Sequence, residues 1–364
     1  MEHCQELLAL IKSTLHNESI KDFATENLDE LFQAAENHMV SGLVGAALEN
    51  HGGKRCEPAY QAVALAMRKN LLMTNEVGKI QAALEKEGIW NAPVKGVVLK
   101  KYYPKQYMRE MSDIDILFDS DRAYDVKKIM EDMGYATVSY GEEHHDVYKK
   151  EPCVQVEMHR TLFQIRHQMY DYYLDIKNKL VLEEGTQYRY YFKPEDFYVY
   201  MIAHEYVHFT YYPGTGIRSL VDTYVFLTKF EKTLDWEYVL RECEKLGIQE
   251  YEVKNRSLSL HLFGDGVLTK EDDQFLCYYL TEGIYGSTKD GVSYKVDMLG
   301  GGKLGKIRYV LKRLFPSMPW IKQRMPFIYK HKVLLPAVPF IRIYQALFSK
   351  RKVAFNEFKN VIVK

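Results

Sequence analysis

The sequence predicts an α+β protein, a mixed-sheet core flanked by an N-terminal and a C-terminal helical region. Three observations predict it. Apolar residues recur at helical spacing up to Gly88. Between residues 89 and 192 the pattern changes to short apolar alternations broken by turn residues. From Pro194 the helical period returns.

In the first region, "CQELLALIKSTL" puts Leu7, Leu8, Ile11 and Leu15 on one face. "LDELFQAAENHMVSGLVGAALEN" and "YQAVALAMRKNLLMTNEVGKIQAALEKEG" continue the helical period, and Gly88 stops it. The first residues carry acids and this same period, not a basic stretch followed by an apolar core, so no leader peptide is expected. No window reaches the apolar length of a membrane-spanning helix.

The central region, 89–192, opens with "APV" as a short buried strand, a turn at Lys95-Gly96, and a short helix from Val97 to Tyr103 halted by Pro104. "SDIDILF" alternates, with Ile114, Ile116 and Phe118 on one side and Asp113, Asp115 and Leu117 on the other. "DRAYDVKKIMEDMG" is a helix whose stripe is Val126, Ile129, Met130 and Met133, with Ser120 or Asp121 to cap it and Gly134 to end it. "ATVSYG", "DVYKK" and "CVQVEMH" follow as strands; in the last, Gln155, Glu157 and His159 share the polar side. His144-His145 with Asp146 reads as an exposed loop.

A C-terminal helical domain is expected over 193–282, a glycine-rich connector with seven glycines over 283–305, and a basic aromatic tail over 306–364. The connector lacks the strand-before, helix-after setting of a phosphate loop. Five scattered cysteines with no CxxC fit a reducing compartment and argue against a structural zinc site. Net charge is zero but unevenly spread: residues 303–364 hold 15 Lys and Arg against one acid, leaving 34 basic and 48 acidic residues elsewhere. Such a tail suits an anionic surface or packing on the acidic body.

Two carboxylates at i and i+2 of a strand point the same way, with Cα atoms about 6.5–7 Å apart. They suit a divalent cation shared with substrate phosphates, magnesium above all. A third acid completes the shell or takes the proton from an attacking hydroxyl. Glu157, on the polar side of a later strand, is the candidate, and Arg109 lies four residues upstream of Asp113.

At these residues the chain resembles a family. Strand, glycine turn, short helix, a strand with Asp-x-Asp and then a third acidic strand is the order of the nucleotidyltransferase fold shared with DNA polymerase beta. "PVKGVVLKKYYPKQYMREMSDIDILF", "VQVEMHRTLF" and "AHEYVHF…GIRSLVDTYVFL" are similar to a bacterial branch described as uncharacterised nucleotidyltransferases, over roughly Val94 to Leu227. The resemblance implies that Asp113, Asp115 and Glu157 bind Mg2+ or Mn2+ and that an NTP is the substrate. Lys95, Gly96, Arg109 and Ser112 would contact nucleotide phosphates; for Arg109 a salt bridge holding the loop is the alternative. The superfamily's glycine-serine pair is here Lys95-Gly96 followed by Val97, so the serine hydroxyl is missing and Lys95 would supply charge instead. His159, His204, Arg218 and Asp222 would line the cleft.

"HEYVH" also matches a zinc-protease pattern through His204, Glu205 and His208. Three functions are thus carried forward. The first is nucleotidyl transfer to a small molecule, sugar or protein rather than nucleic acid. The others are a degenerate nucleotide-binding or membrane-docked partner protein, and a zinc hydrolase. A cytoplasmic location is expected, with the tail peripheral to the inner face of the membrane.

Overall fold

The computed structural model describes residues 4–18, 27–49, 56–211 and 216–282, then 296, 301–316, 318, 321 and 325–344. Four helices precede the sheet: α1 (Cys4–His16), α2 (Leu28–Asn37), α3 (Ser41–Leu48) and α4 (Glu57–Lys86). The Asn27 side chain caps α2 by accepting from the Glu30 amide. The single helix expected over α2 and α3 is divided at Met39. Its φ is +51°, and the Val40 and Met39 amides return to the Ala35 and Glu36 carbonyls. Glycine or asparagine usually marks such a left-handed stop. Methionine does not, so the break left no mark in the sequence.

The sheet holds β1 (Asn91–Pro93), β2 (Ile114–Phe118), β3 (Ala136–Ser139), β4 (His145–Lys150) and β5 (Val154–His159), in the order β1-β2-β5-β4-β3. β2 and β5 run parallel; the other pairings are antiparallel. The expected alternation in β2 is present. A short helix, α5 (Gly96–Leu99), follows β1. Ile114, Ile116 and Phe118 pack with Val154, Val156 and Met158 of β5 against α4 and α6 (Ala123–Asp132). Each of these fully buried side chains is worth about 1.5–3 kcal/mol of transfer free energy. Leu117 faces the other way, into the core that α7 (Pro194–Tyr211) builds with α8 (Ile217–Phe230) and α9 (Trp236–Lys245). Glu76 of α4 joins helix to sheet, accepting from Tyr135 at 2.7 Å and Lys150 at 3.0 Å.

His145 and Asp146 do not form the exposed loop expected of them. They are the first residues of β4, and Asp146 is fully buried, bonded to Arg160 and to the Gly141 amide. A small hairpin, β6 (Leu180–Leu182) with β7 (Tyr190–Phe192), was not anticipated. Three residues per strand are too few to display a period.

The N- and C-terminal helices share a core. α1 to α4 pack with α8, α10 (Gln249–Phe263) and α11 (Lys270–Glu282), around Tyr103, Tyr107 and Met108. Beyond them lie helices at Gly302–Leu314, Pro326–Lys330 and Val338–Tyr344, with a small cluster of Ile321, Met325, Ile328 and Val338. Most of the expected glycine-rich connector, and residues 345–364 of the tail, lie outside the described residues. Among the described residues no helix is long and apolar enough to cross a membrane.

Candidate active site

Parallel pairing of β2 with β5 sets Asp115 beside Glu157. Both point to the side of the sheet that faces α7, where a cleft of about 670 Å³ opens. A carboxylate oxygen of Asp115, one of Glu157 and a ring nitrogen of His159 lie within 4.8 Å of one another. Asp115 Oδ1 accepts from Lys95 Nζ at 2.7 Å and from His159 Nε2 at 2.8 Å. Asp113 also lines the cleft, but it precedes the first residue of β2 and does not belong to that close group.

Lys95 reaches Asp115 from an unusual backbone. Its φ is +52° and ψ −125°, a region that favours glycine. Such strain persists where the surroundings over-determine it, and it gathers at functional sites. The Val94 amide is tied to the Asp115 carbonyl at 3.0 Å, and the Val98 and Leu99 amides close on the Lys95 carbonyl. Gly96 follows for a steric reason. A Cβ there would lie 2.6 Å from Arg109 Nη1 and 2.8 Å from Met111 Sδ.

The acids differ in charge state. Burial pushes Asp115 up, but the Lys95 ammonium and the His159 hydrogen bond overcome it and hold the carboxyl well below its usual range. Glu157 accepts only a long bond from Gln155, at 3.5 Å, among the described residues. Burial, then the charges of Asp115 and Asp113, push it up to about 7. Asp113 is raised by burial and by Asp115. The site therefore holds more negative charge than Lys95 alone neutralises.

Arg109 is committed elsewhere. Its Nε and Nη2 donate to the two oxygens of Asp222 at 3.1 and 2.8 Å, and Tyr103 donates to the same carboxylate at 2.7 Å. The structure brings two separately predicted residues, Arg109 and Asp222, together as a buried clamp from the loop before β2 to α8. Arg218, one turn before Asp222, is different. Its Nη1 donates to the Glu110 carbonyl at 3.1 Å, and its guanidinium lines the cleft. Burial and the neighbouring Arg109 lower it to about 10, as expected of a cation without a carboxylate in direct contact. Ser112 lines the same cleft.

His204 and His208 lie one turn apart, rings tilted by 50° with centroids 4.6 Å apart, and both line the cleft. Glu205 turns to α10, accepting from Asn255 at 3.1 Å, and burial raises it well above the carboxylate range. Among the described residues no third ligand joins the two histidines in a metal-sized group.

His144 and His145, expected in an exposed loop, enter the cleft because His145 pairs with His159. The hairpin arithmetic contained the signal: Lys150 opposite Val154 forces His145 opposite His159.

A family model described as an uncharacterised nucleotidyltransferase matches residues 24–264, from before α2 to the end of α10. It includes the whole sheet and every cleft residue named above. No curated protein and no solved structure matches the chain. With two thirds of its length under that model, this chain belongs to the family of uncharacterised nucleotidyltransferases.

Proposed function

We propose that this chain is a magnesium- or manganese-dependent nucleotidyltransferase with a polymerase beta-like core. A hydroxyl or phosphate of a small molecule, sugar or protein attacks the α-phosphorus of a nucleoside triphosphate, and pyrophosphate leaves. The observation that carries this is the pairing of Asp115 with Glu157 on adjacent parallel strands, at the mouth of a cleft that also holds Asp113 and Lys95.

The residues fit a hard divalent cation. They offer carboxylate oxygens, and Glu157 is raised by burial and by the charges of Asp115 and Asp113. Asp113, Asp115 and Glu157 would hold the ion, which when bound supplies charge neutralisation at the phosphates. Glu157 is also the candidate to accept a proton from the acceptor hydroxyl. Lys95 and Arg218 are the phosphate contacts; Val97 takes the place of the superfamily's serine, and Lys95 supplies charge instead. Arg218 takes that role over Arg109, whose donors already serve Asp222. Ser112 sits beside them, and His159 and His204 border the substrate.

The test is pyrophosphate release from ATP, GTP, CTP and UTP with magnesium or manganese, beside calorimetric binding of each. An Asp113→Asn, Asp115→Asn double variant should lose turnover by about a thousandfold or more, the several kcal/mol expected of a lost metal site. Metal-dependent binding without turnover in the wild type would move the protein to the degenerate, nucleotide-binding class. Absence of any binding by the folded wild type would defeat both.

The tail supports a second element of function, attachment to anionic lipid. In the helix Gly302–Leu314 and just after it, Leu304, Ile307, Leu311 and Phe315 are exposed at near-helical spacing, among Lys303, Lys312 and Arg313. An exposed apolar stripe beside basic residues suits a negatively charged bilayer surface. The full chain should float with phosphatidylserine vesicles and not with neutral ones, and Leu311→Glu should release it; equal recovery on both vesicles refutes the attachment.

A further inference from the structure

The mechanism above uses the carboxylates and leaves three imidazoles beside them without a task. His144, His145 and His159 each offer a ring nitrogen within 4.8 Å of the others. Their ring centroids are 4.4, 5.1 and 5.4 Å apart. Neither rotamer chance nor a floppy loop explains the arrangement. His145 is fixed opposite His159 by strand register, and the His144 carbonyl accepts from the Arg160 and Thr161 amides at 2.9 and 3.2 Å.

Hydrogen bonding leaves the cluster unfinished. The Nδ1 atoms of His144 and His159 are buried and have no hydrogen-bond partner among the described residues. A buried polar atom left unmade costs about 1–3 kcal/mol, so two in one cluster call for an occupant. The other nitrogen of His159 donates to Asp115 Oδ1 at 2.8 Å. A carboxylate behind an imidazole is the outer support that fixes tautomer and ring direction in metal-bound histidines. Glu157 Oε2, 3.7 Å from Nε2 of both His145 and His159, keeps a carboxylate beside the cluster. His144 and His145 line the cleft, which gives an ion a way in.

We propose that His144, His145 and His159 bind a borderline divalent transition-metal ion of the zinc and cobalt class, at a site adjoining the oxygen-ligand site of Asp113, Asp115 and Glu157. Imidazole nitrogens prefer such ions, whereas magnesium prefers oxygen and keeps its waters. The two sites share the edge formed by Glu157 and the His159–Asp115 bond, so one cleft sorts two kinds of ion by ligand chemistry. Only the oxygen-ligand half rests on the transferase reading; the histidine site stands without it.

The experiment uses the full chain stripped of metal, titrated with Co2+ under a large excess of Mg2+ and followed by visible absorption. A single equivalent should bind and resist the magnesium. His144→Gln and His145→Gln, both at partly exposed positions, should each weaken it by about tenfold or more. His208→Gln, checking the histidine pair on α7, should leave it unchanged. Circular dichroism of each variant confirms that the fold is kept. Absence of a bound equivalent, displacement by magnesium, smaller losses in both cluster variants, or loss in His208→Gln would each overturn the proposal. Pyrophosphate release is not the readout, so failure of the transferase reading leaves this result interpretable.

Discussion

Asp222 and Asp115 each sit in a buried pair with a cation, and the two pairs are finished differently. Asp222 has both oxygens bonded to Arg109 and a third donor from Tyr103. Asp115 has one oxygen shared by Lys95 and His159, with the uncompensated acid of Glu157 alongside. The first pair is closed: planar guanidinium on carboxylate, in a geometry lysine does not reproduce. The second is open to the cleft and short of positive charge. One holds α8 to the loop before β2; the other is arranged to receive something.

The largest effect should come from breaking the closed pair. Arg109→Leu leaves Asp222 buried without its cation and should cost about 3–5 kcal/mol, read as a fall in the denaturation midpoint at unchanged slope. A loss below about 1 kcal/mol would erase the distinction between the pairs.

The next effect sharpens the comparison through pH. In the metal-free protein Glu157 titrates at about 7, against 4.5 for an ordinary glutamate. A raised carboxyl holds its proton longer in the folded state. Its stabilisation is therefore full below pH 4.5 and is lost as pH rises through 7. Two and a half units correspond to about 3 kcal/mol. Wild type should lose that much more stability than Glu157→Gln between pH 4.5 and 8, with chelator present. Parallel pH profiles for the two proteins would mean that the open pair is not short of charge.

The smallest effect returns to the closed pair. Tyr103→Phe removes one donor from a carboxylate that keeps its arginine, and should cost about 1–2 kcal/mol. Pyrophosphate release, measured on the same protein, should be unchanged.

Much of this was legible in the chain. Strands β2 and β5 announce themselves because one side of each is apolar and the other carries acids; α6 does so through its stripe and Gly134. Asp115 and Glu157 were legible as partners because both sit on polar sides of strands. Arg109 and Asp222 were visible as separate residues, but their bond joins positions 113 apart, and local pattern carries no information about such a distance. Met39 hid a helix break because it adopts a backbone conformation that glycine usually signals. His144 and His145 were read as a loop because the run of polar residues after Gly141 looks like one until the hairpin register is counted.

Asp115 and Glu157 become neighbours only through a parallel pairing, and parallel neighbours require a crossover. Here the crossover is α6 with the β3–β4 ribbon, and the opposite wall of the cleft, α7 and α8, follows later still. A chain made from its N-terminus therefore carries Asp113 and Asp115 for some time as ordinary hydrated acids. The proposed cation site arrives late, in one step with closure of the sheet. A polypeptide interrupted anywhere before β5 has no weakened version of that site; it has none.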